Sequence, residues 1–150
     1  MKKIFNNFSK RISKNPIQTA IITVFLLLFS SCAPSGFEDY DNDEVIIKKT
    51  SCVMRNSASI KTLKKYTLNV KSFDGVVHVK KITVSANPSF NMQITINSGR
   101  FKVVAIDSNN NLYLLSDSES TGEIATTLPA GTYSIKLVGD NANVNFSYFF

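Results

Sequence analysis

Side chains able to do chemistry are few in this 150-residue chain. The lone histidine, His78, sits in the strand-like run Val76-Val77-His78-Val79. A Ser-His-Asp or Cys-His arrangement would have to pass through it, because such nucleophiles need a base beside them. Neither a nucleophile elbow nor an HExxH pattern accompanies His78, so it reads as an ordinary strand residue. One histidine and two cysteines, Cys32 and Cys52, fall short of the ligands a zinc site takes. Asp39, Asp41 and Asp43 copy the one-three-five oxygen spacing of an EF-hand loop. Glu44, however, stands sixth, where glycine must make the turn, and Thr50 stands twelfth without a bidentate carboxylate. The run from Asp107 through Asn109 to Asn111 has the same faults, with Leu112 sixth and Ser118 twelfth. Asp117, Glu119 and Glu123 remain as acids that a loop-tip calcium would use. For sugar stacking there is no tryptophan, which leaves Tyr113, Tyr133, Tyr148 and Phe149 as the candidate rings. The expectation is a non-enzyme with no cofactor and no metal.

Cys32 differs because of what precedes it. Residues Met1 to Lys14 carry five basic side chains and no acid, and such a flank stays on the cytoplasmic side of a membrane. Ala20 to Phe29 (AIITVFLLLF) then gives ten residues of which only Thr23 is polar. A bilayer core of about 30 Å needs about 20 apolar residues as helix, so this run suits a signal-peptide core better than a span. It ends in Ser30-Ser31-Cys32-Ala33.

Leu26-Leu27-Leu28-Phe29 followed by Ser30-Ser31-Cys32 resembles the lipobox of bacterial lipoproteins, with Phe29 where the pattern prefers leucine. The resemblance implies cleavage before Cys32 and diacylglycerol on its thiol. It also implies further acylation, which fits the rule that one acyl chain alone anchors only marginally. Residue Ala33, rather than aspartate, implies the outer membrane. Glu38, Asp39, Asp41, Asp43 and Glu44 resemble the acidic surface-export signal of some Gram-negative lipoproteins, although they begin six residues after the cysteine. An uncleaved membrane helix and a plain secreted protein are the alternatives. The expected organisation is a signal peptide at 1–31, a lipidated cysteine with an acidic flexible tether at 32–44, and a folded domain at 45–150.

The formal net charge of +6 belongs to the leader. From Cys32 onward 12 basic residues face 11 acidic ones, so no basic footprint for nucleic acid exists. The expected partners are the membrane, through the lipid, and a protein or glycan at the cell surface. With Cys32 lipidated, Cys52 is a lone thiol, expected to be buried and inert. Otherwise the two cysteines can pair.

From Val45 the apolar period is two. Val45-Ile46-Ile47, Tyr66 to Val70, Val76 to Ala86, Phe90 to Ile96, Phe101 to Ile106, Leu112 to Leu115, Glu123 to Thr127, Tyr133 to Leu137 and Val144 to Phe150 read as strands. Ser98-Gly99, Ser108-Asn109-Asn110, Pro129-Ala130-Gly131 and Gly139-Asp140-Asn141 read as turns between them. Only Ser57 to Lys65 hints at a helix. Eight or nine short strands with one buried face each predict an all-β domain, a single antiparallel β-sandwich. Met92 to Phe150, with its Gly131-Thr132-Tyr133 strand entry and aromatic last strand, resembles small bacterial Ig-like or jelly-roll modules. That implies a fold and carries no activity. The final run Val144, Phe146, Tyr148, Phe150 also looks like the closing strand of an outer-membrane β-barrel, although membrane strands need about 9–11 residues. The expected function is a lipid-anchored outer-membrane or surface lipoprotein with a non-catalytic binding or structural module. The alternatives are a carbohydrate-binding accessory protein, a small hydrolase or inhibitor using His78 or acidic loop residues, or a barrel.

Overall fold

The computed structural model describes residues 37–62, 65–85 and 89–149. Residue Cys32 and the leader lie outside them. One short helix, α1 (Asp43–Lys48), precedes six strands: β1 (Cys52–Lys61), β2 (Lys65–Val84), β3 (Ser89–Asp107), β4 (Leu112–Ser116), β5 (Gly122–Thr127) and β6 (Gly131–Phe149). All pair antiparallel in a single sheet of order β1-β2-β6-β3-β4, with β5 also on β3. The all-β expectation holds. The strands, however, are fewer and longer than their sequence signals indicate, because β2, β3 and β6 each join two segments that read as separate strands.

Each of those strands is interrupted at the same level by a bulge. Pairing slips between Val70 and Gly75 on β2, and between Ile96 and Arg100 on β3, both against β6. Residues with left-handed backbone cross the sheet there: Asn56, Gly75, Asn141 and Gly99. Bulges bend a strand and sharpen its twist without ending it. The Ser98-Gly99 and Gly139-Asp140-Asn141 signals therefore mark bends within strands, and the expected hairpins at these points are absent. Asp74 and Arg100 brace the bend: Asn141 N–H donates to Asp74 Oδ1 at 2.7 Å, and Arg100 Nε to Asp140 Oδ2 at 2.8 Å.

The bend brings the two ends of the sheet's inner face together. Ile94 pairs with Phe146, and Phe101 lies seven residues further along β3. On a flat strand that offset would be about 23 Å at ~3.3 Å per residue. The rings of Phe101 and Phe146 are instead 5.8 Å apart, and Phe101 meets Phe73 at 6.2 Å. One core therefore draws Leu68, Ile94 and Phe146 from one half and Phe101, Ile135 and Leu137 from the other. Truncating any such buried phenylalanine costs about 3–5 kcal/mol. The sheet does not close, since β1 on one side and β4 and β5 on the other have no outer neighbour among the described residues. A membrane barrel leaves no such edge.

The outer face of the second half carries its own cover. Phe37, Tyr40 and Ile46 pack on Val76, Val104, Ile106 and Val138. Phe37 and Tyr40 are buried in this packing, so residues 37–44 belong to the fold and are not a free tether. Val45-Ile46-Ile47 lies in a helix, not a strand. Its Asn42 cap accepts from Val45 N–H at 3.2 Å, with Asp43 and Glu44 in the first turn and Lys48 in the last, as the helix dipole favours. So short a helix cannot hold itself. The Nζ of Lys136, on β6, donates to the carbonyls of Ile46, Ile47 and Lys49 at 2.8–2.9 Å, satisfying acceptors that the helix end leaves open. The expected helix at Ser57 to Lys65 is mostly strand β1.

The acidic residues are occupied in this packing. Arg100 spans Asp41 at 2.7 Å and Asp140 at 2.8 Å, and Asp140 Oδ1 accepts Phe37 N–H at 2.9 Å. The guanidinium also lies 4.3 Å from the Tyr40 ring centre, and Lys49 pairs with Asp39 at 3.9 Å. Exposed ion pairs are worth about 0–1 kcal/mol each, whereas burying a side chain such as Phe37 or Ile46 is worth about 1.5–3 kcal/mol. Burial holds the segment on the sheet and the charges set its register.

The bend leaves no room for a side chain at Gly139, where a Cβ would overlap the Phe73 ring and its carbonyl oxygen. Gly139→Ala should lower unfolding free energy by about 2–3 kcal/mol in urea titration. A loss under about 0.5 kcal/mol would mean that the strands do not approach this closely.

Candidate functional site

At the end opposite the bend, the two halves of the sheet part. Ile82 and Val84 of β2 face Phe90 at the start of β3, Leu128 before β6, and Tyr148 and Phe149 at the end of β6. Together they line a groove of about 350 Å³, at the low end of the range for small-ligand sites. Its back wall is rigid, because Phe90 stacks on Tyr148 with ring centres 4.0 Å apart and planes 15° from parallel. Lys80 and Lys81 supply charge to the lining, which includes no carboxylate side chain among the described residues. The lip is Phe149, which is 49 % exposed and carries Lys65 Nζ 5.0 Å from its ring centre. Such a groove can hold an apolar or ring-shaped body with an anionic or hydroxylated end.

Of the candidate sugar-stacking rings, the fold uses three internally. Tyr133 is buried and donates its hydroxyl to Pro129 O at 3.0 Å, and Tyr113 meets it edge-on at 5.5 Å. Tyr148 is buried in the groove wall, which leaves Phe149 as the exposed member of the set.

The remaining candidates are scattered. His78 is exposed on β2 opposite Lys136. Its pKa lies below the usual histidine value through partial desolvation, with Lys136 and Lys61 adding repulsion. Its electrostatic neighbours are thus cations, whereas a catalytic base would have a carboxylate to orient it. The expectation of a buried Cys52 fails: it opens edge strand β1 and is exposed. Its neighbours still screen the thiol enough to push its pKa up, which disfavours the reactive thiolate. Asp107 holds the β3–β4 turn. Its Oδ1 accepts Asn109 and Asn111 N–H, and its Oδ2 accepts Asn111 Nδ2, all at 2.8–2.9 Å. Asp117 does the same for the β4–β5 turn through Glu119 N–H and the Ser120 hydroxyl. Among the described residues, no three His, Cys, Asp or Glu side chains gather to hold a metal ion. Cys32 lies outside the described residues.

Two features had different visibility in the sequence. The Asn42-Asp43-Glu44 start and Lys48-Lys49 end are a helix signature that the apolar run Val45-Ile46-Ile47 obscures. The groove has no local signal, since its lining comes from four separated segments.

Burial at Tyr40, at Tyr66 and in the groove wall has a consequence at alkaline pH. It pushes all three phenols above their usual range, Tyr148 to about 12. The folded state thus keeps protons that the unfolded chain releases near pH 10, so stability is intact below that pH and falls as pH rises toward 12. Near-ultraviolet absorbance should show these phenolates forming only together with loss of tertiary circular dichroism. Tyr40, Tyr66 and Tyr148 titrating near pH 10 in a folded chain would contradict the burial.

Comparisons add little to this geometry. No known family matches the sequence, and no curated protein matches it. Among solved structures, one that resembles it is the C-terminal domain of a structural protein from Sulfolobus turreted icosahedral virus. The two share 17% identity at a TM-score of 0.31, covering 67% of this chain and 99% of that one. A likeness at that score carries no argument about function.

Proposed function

We propose that this chain is a lipid-anchored outer-membrane or cell-surface lipoprotein, whose folded sheet works as a β-sandwich that binds a partner rather than catalysing a reaction. The observation that carries this reading is polarity along the strands. The first described residue, Phe37, is tied by its N–H to Asp140 at the bend, and the groove opens at the far end. Gly139 to Phe149 is ten residue steps, or roughly 33 Å of strand. Only five residue steps lead from Cys32 to Phe37, a reach of at most about 18 Å. A lipid on Cys32 would hold the bend near the bilayer and present the groove outward. Metabolic labelling of cells with a clickable palmitate analogue tests the anchor. The native chain should take the label and sediment with membranes, and Cys32→Ala should do neither. Label that persists in Cys32→Ala, or a native chain that never takes it, would overturn the reading.

A second reading, a carbohydrate-binding accessory protein, draws on Phe149, a half-exposed ring on the lip of the groove. An oligosaccharide array should then give hits that Phe149→Ala weakens about tenfold, equivalent to about 1.4 kcal/mol of stacking. Hits indifferent to that change would remove this reading and leave the anchored module standing.

A further inference from the structure

The two edges of the sheet that have no outer neighbour among the described residues carry opposite charge. Strand β1 forms one edge, and nine of its ten residues are exposed on one face or the other. It presents Arg55 and Lys61, and β2 beside it adds Lys65 and Lys71. From Val45 to Phe73 the sequence has seven basic residues and no acidic one. At the other side of the sheet, β4, β5 and their turns carry Asp107, Asp117, Glu119 and Glu123, with no lysine or arginine from Val103 to Ile135. The charges of β1 (Arg55, Lys61) and its left-handed backbone at Asn56 guard that edge against an uncharged or like-charged strand, while other features leave it able to pair. Neither β1 nor β5 contains proline, β1 is ten residues long, and Val53 and Ile60 stand 59% and 66% exposed on it.

We infer that the occupant of these edges is a second copy of this chain, docked head to tail with the basic β1 edge of one molecule against the acidic β4/β5 edge of the next. Charge selects this pairing over the others. β1 against β1 sets Arg55 and Lys61 against their own kind, and β5 against β5 does the same for Glu123. Like charges placed opposite one another on paired strands are destabilising, and opposite charges stabilise. Strand direction follows from the sheet order. The half-sheet β1-β2-β6-β3-β5 is antiparallel at every step, so β1 and β5 run the same way. A copy advanced by one sheet width therefore adds its β1 to β5 as a parallel pair at the usual 4.7–4.9 Å spacing. Such a contact uses different surfaces on the two partners, so each added copy leaves one basic and one acidic edge free, and the assembly grows or closes into a ring.

The test uses the full chain in detergent, followed by density-matched sedimentation and by energy transfer between two labelled populations. At roughly 100 µM and low salt the native chain should show a mass at least twofold above the monomer, and about 0.5 M sodium chloride should disperse it. Arg55→Glu/Lys61→Glu reverses one edge and Glu119→Lys/Glu123→Lys the other. Each variant alone should be monomeric, while a one-to-one mixture should assemble again as the native chain does, because the two unaltered edges and the two reversed edges are both of opposite charge. Circular dichroism checks that both variants are folded. If either is not, the charge-neutral pair Arg55→Gln/Lys61→Gln and Glu119→Gln/Glu123→Gln should still lose assembly. A native chain monomeric at low salt, one whose assembly ignores salt, or a mixture that stays monomeric would each overturn the inference.

Discussion

Phe101 and Phe146 can touch only because three long strands break at one level, and most of the molecule follows from that bend. A flat six-stranded sheet has one buried face at best and nothing to bury it against. Folding the sheet across Gly75, Gly99 and Asn141 makes its two ends each other's cover, so no second sheet is needed. The bend also explains where polar residues are tolerated inside long strands. Asp74, Arg100 and Asp140 sit at the level where ladder hydrogen bonds lapse, and their side chains take partners that the slipped pairing leaves open.

The outer face of the second half is where the acidic segment earns its place. Lys102, Val104, Lys136 and Val138 alternate outward from β3 and β6, which gives two buried lysines and an apolar strip on one surface. Lys136 is stabilised by three carbonyls at the end of α1, although desolvation still lowers its pKa. Lys102 lies over the Tyr40 ring at 4.7 Å, within the field of Asp43 and Asp41. A strand lysine and a helix too short to be stable alone thus complete each other. The tyrosine that covers the strip leaves its hydroxyl buried without a partner among the described residues. That is a cost of about 1–3 kcal/mol which the surrounding apolar contact offsets.

The all-β class was legible because alternation such as Phe90, Met92, Ile94 and Ile96 survives in the fold residue for residue, with the first three buried. Strand ends were not. Ser98-Gly99 and Gly139-Asp140-Asn141 have the composition of two-residue turns, and a bulge selects the same residues for the same reason, a backbone that must visit positive φ. What separates the two cases is whether the chain on either side pairs with itself or with a third strand, and that is a long-range fact. Val76 to Ala86 and Tyr66 to Val70 become one strand because β6 lies along both. The groove was illegible for the same reason. Acidic residues misled in the opposite direction. A run of five in seven looks solvated, yet Phe37, Tyr40 and Ile46 interleave with them at spacings that place rings and branched chains on one side.

Sheet order turns a nearly neutral composition into a polar object. From Cys32 onward the charges almost cancel, so net charge alone suggests nothing about association. Lysines and arginines concentrate between Val45 and Lys102, where β1 and β2 lie, whereas β4, β5 and their turns carry Asp107, Asp117, Glu119 and Glu123 and no basic residue. Strand β6, the last in sequence, inserts between β2 and β3 rather than extending an edge. That crossover keeps the basic and acidic blocks at opposite sides with the most buried strand between them. Had β6 added outside β4, the acidic edge would be covered and β2 would lie against β3. The insertion that completes the core is thus also what leaves two unlike edges without an outer neighbour among the described residues, and the separation of charge is a consequence of how the chain closes its own fold.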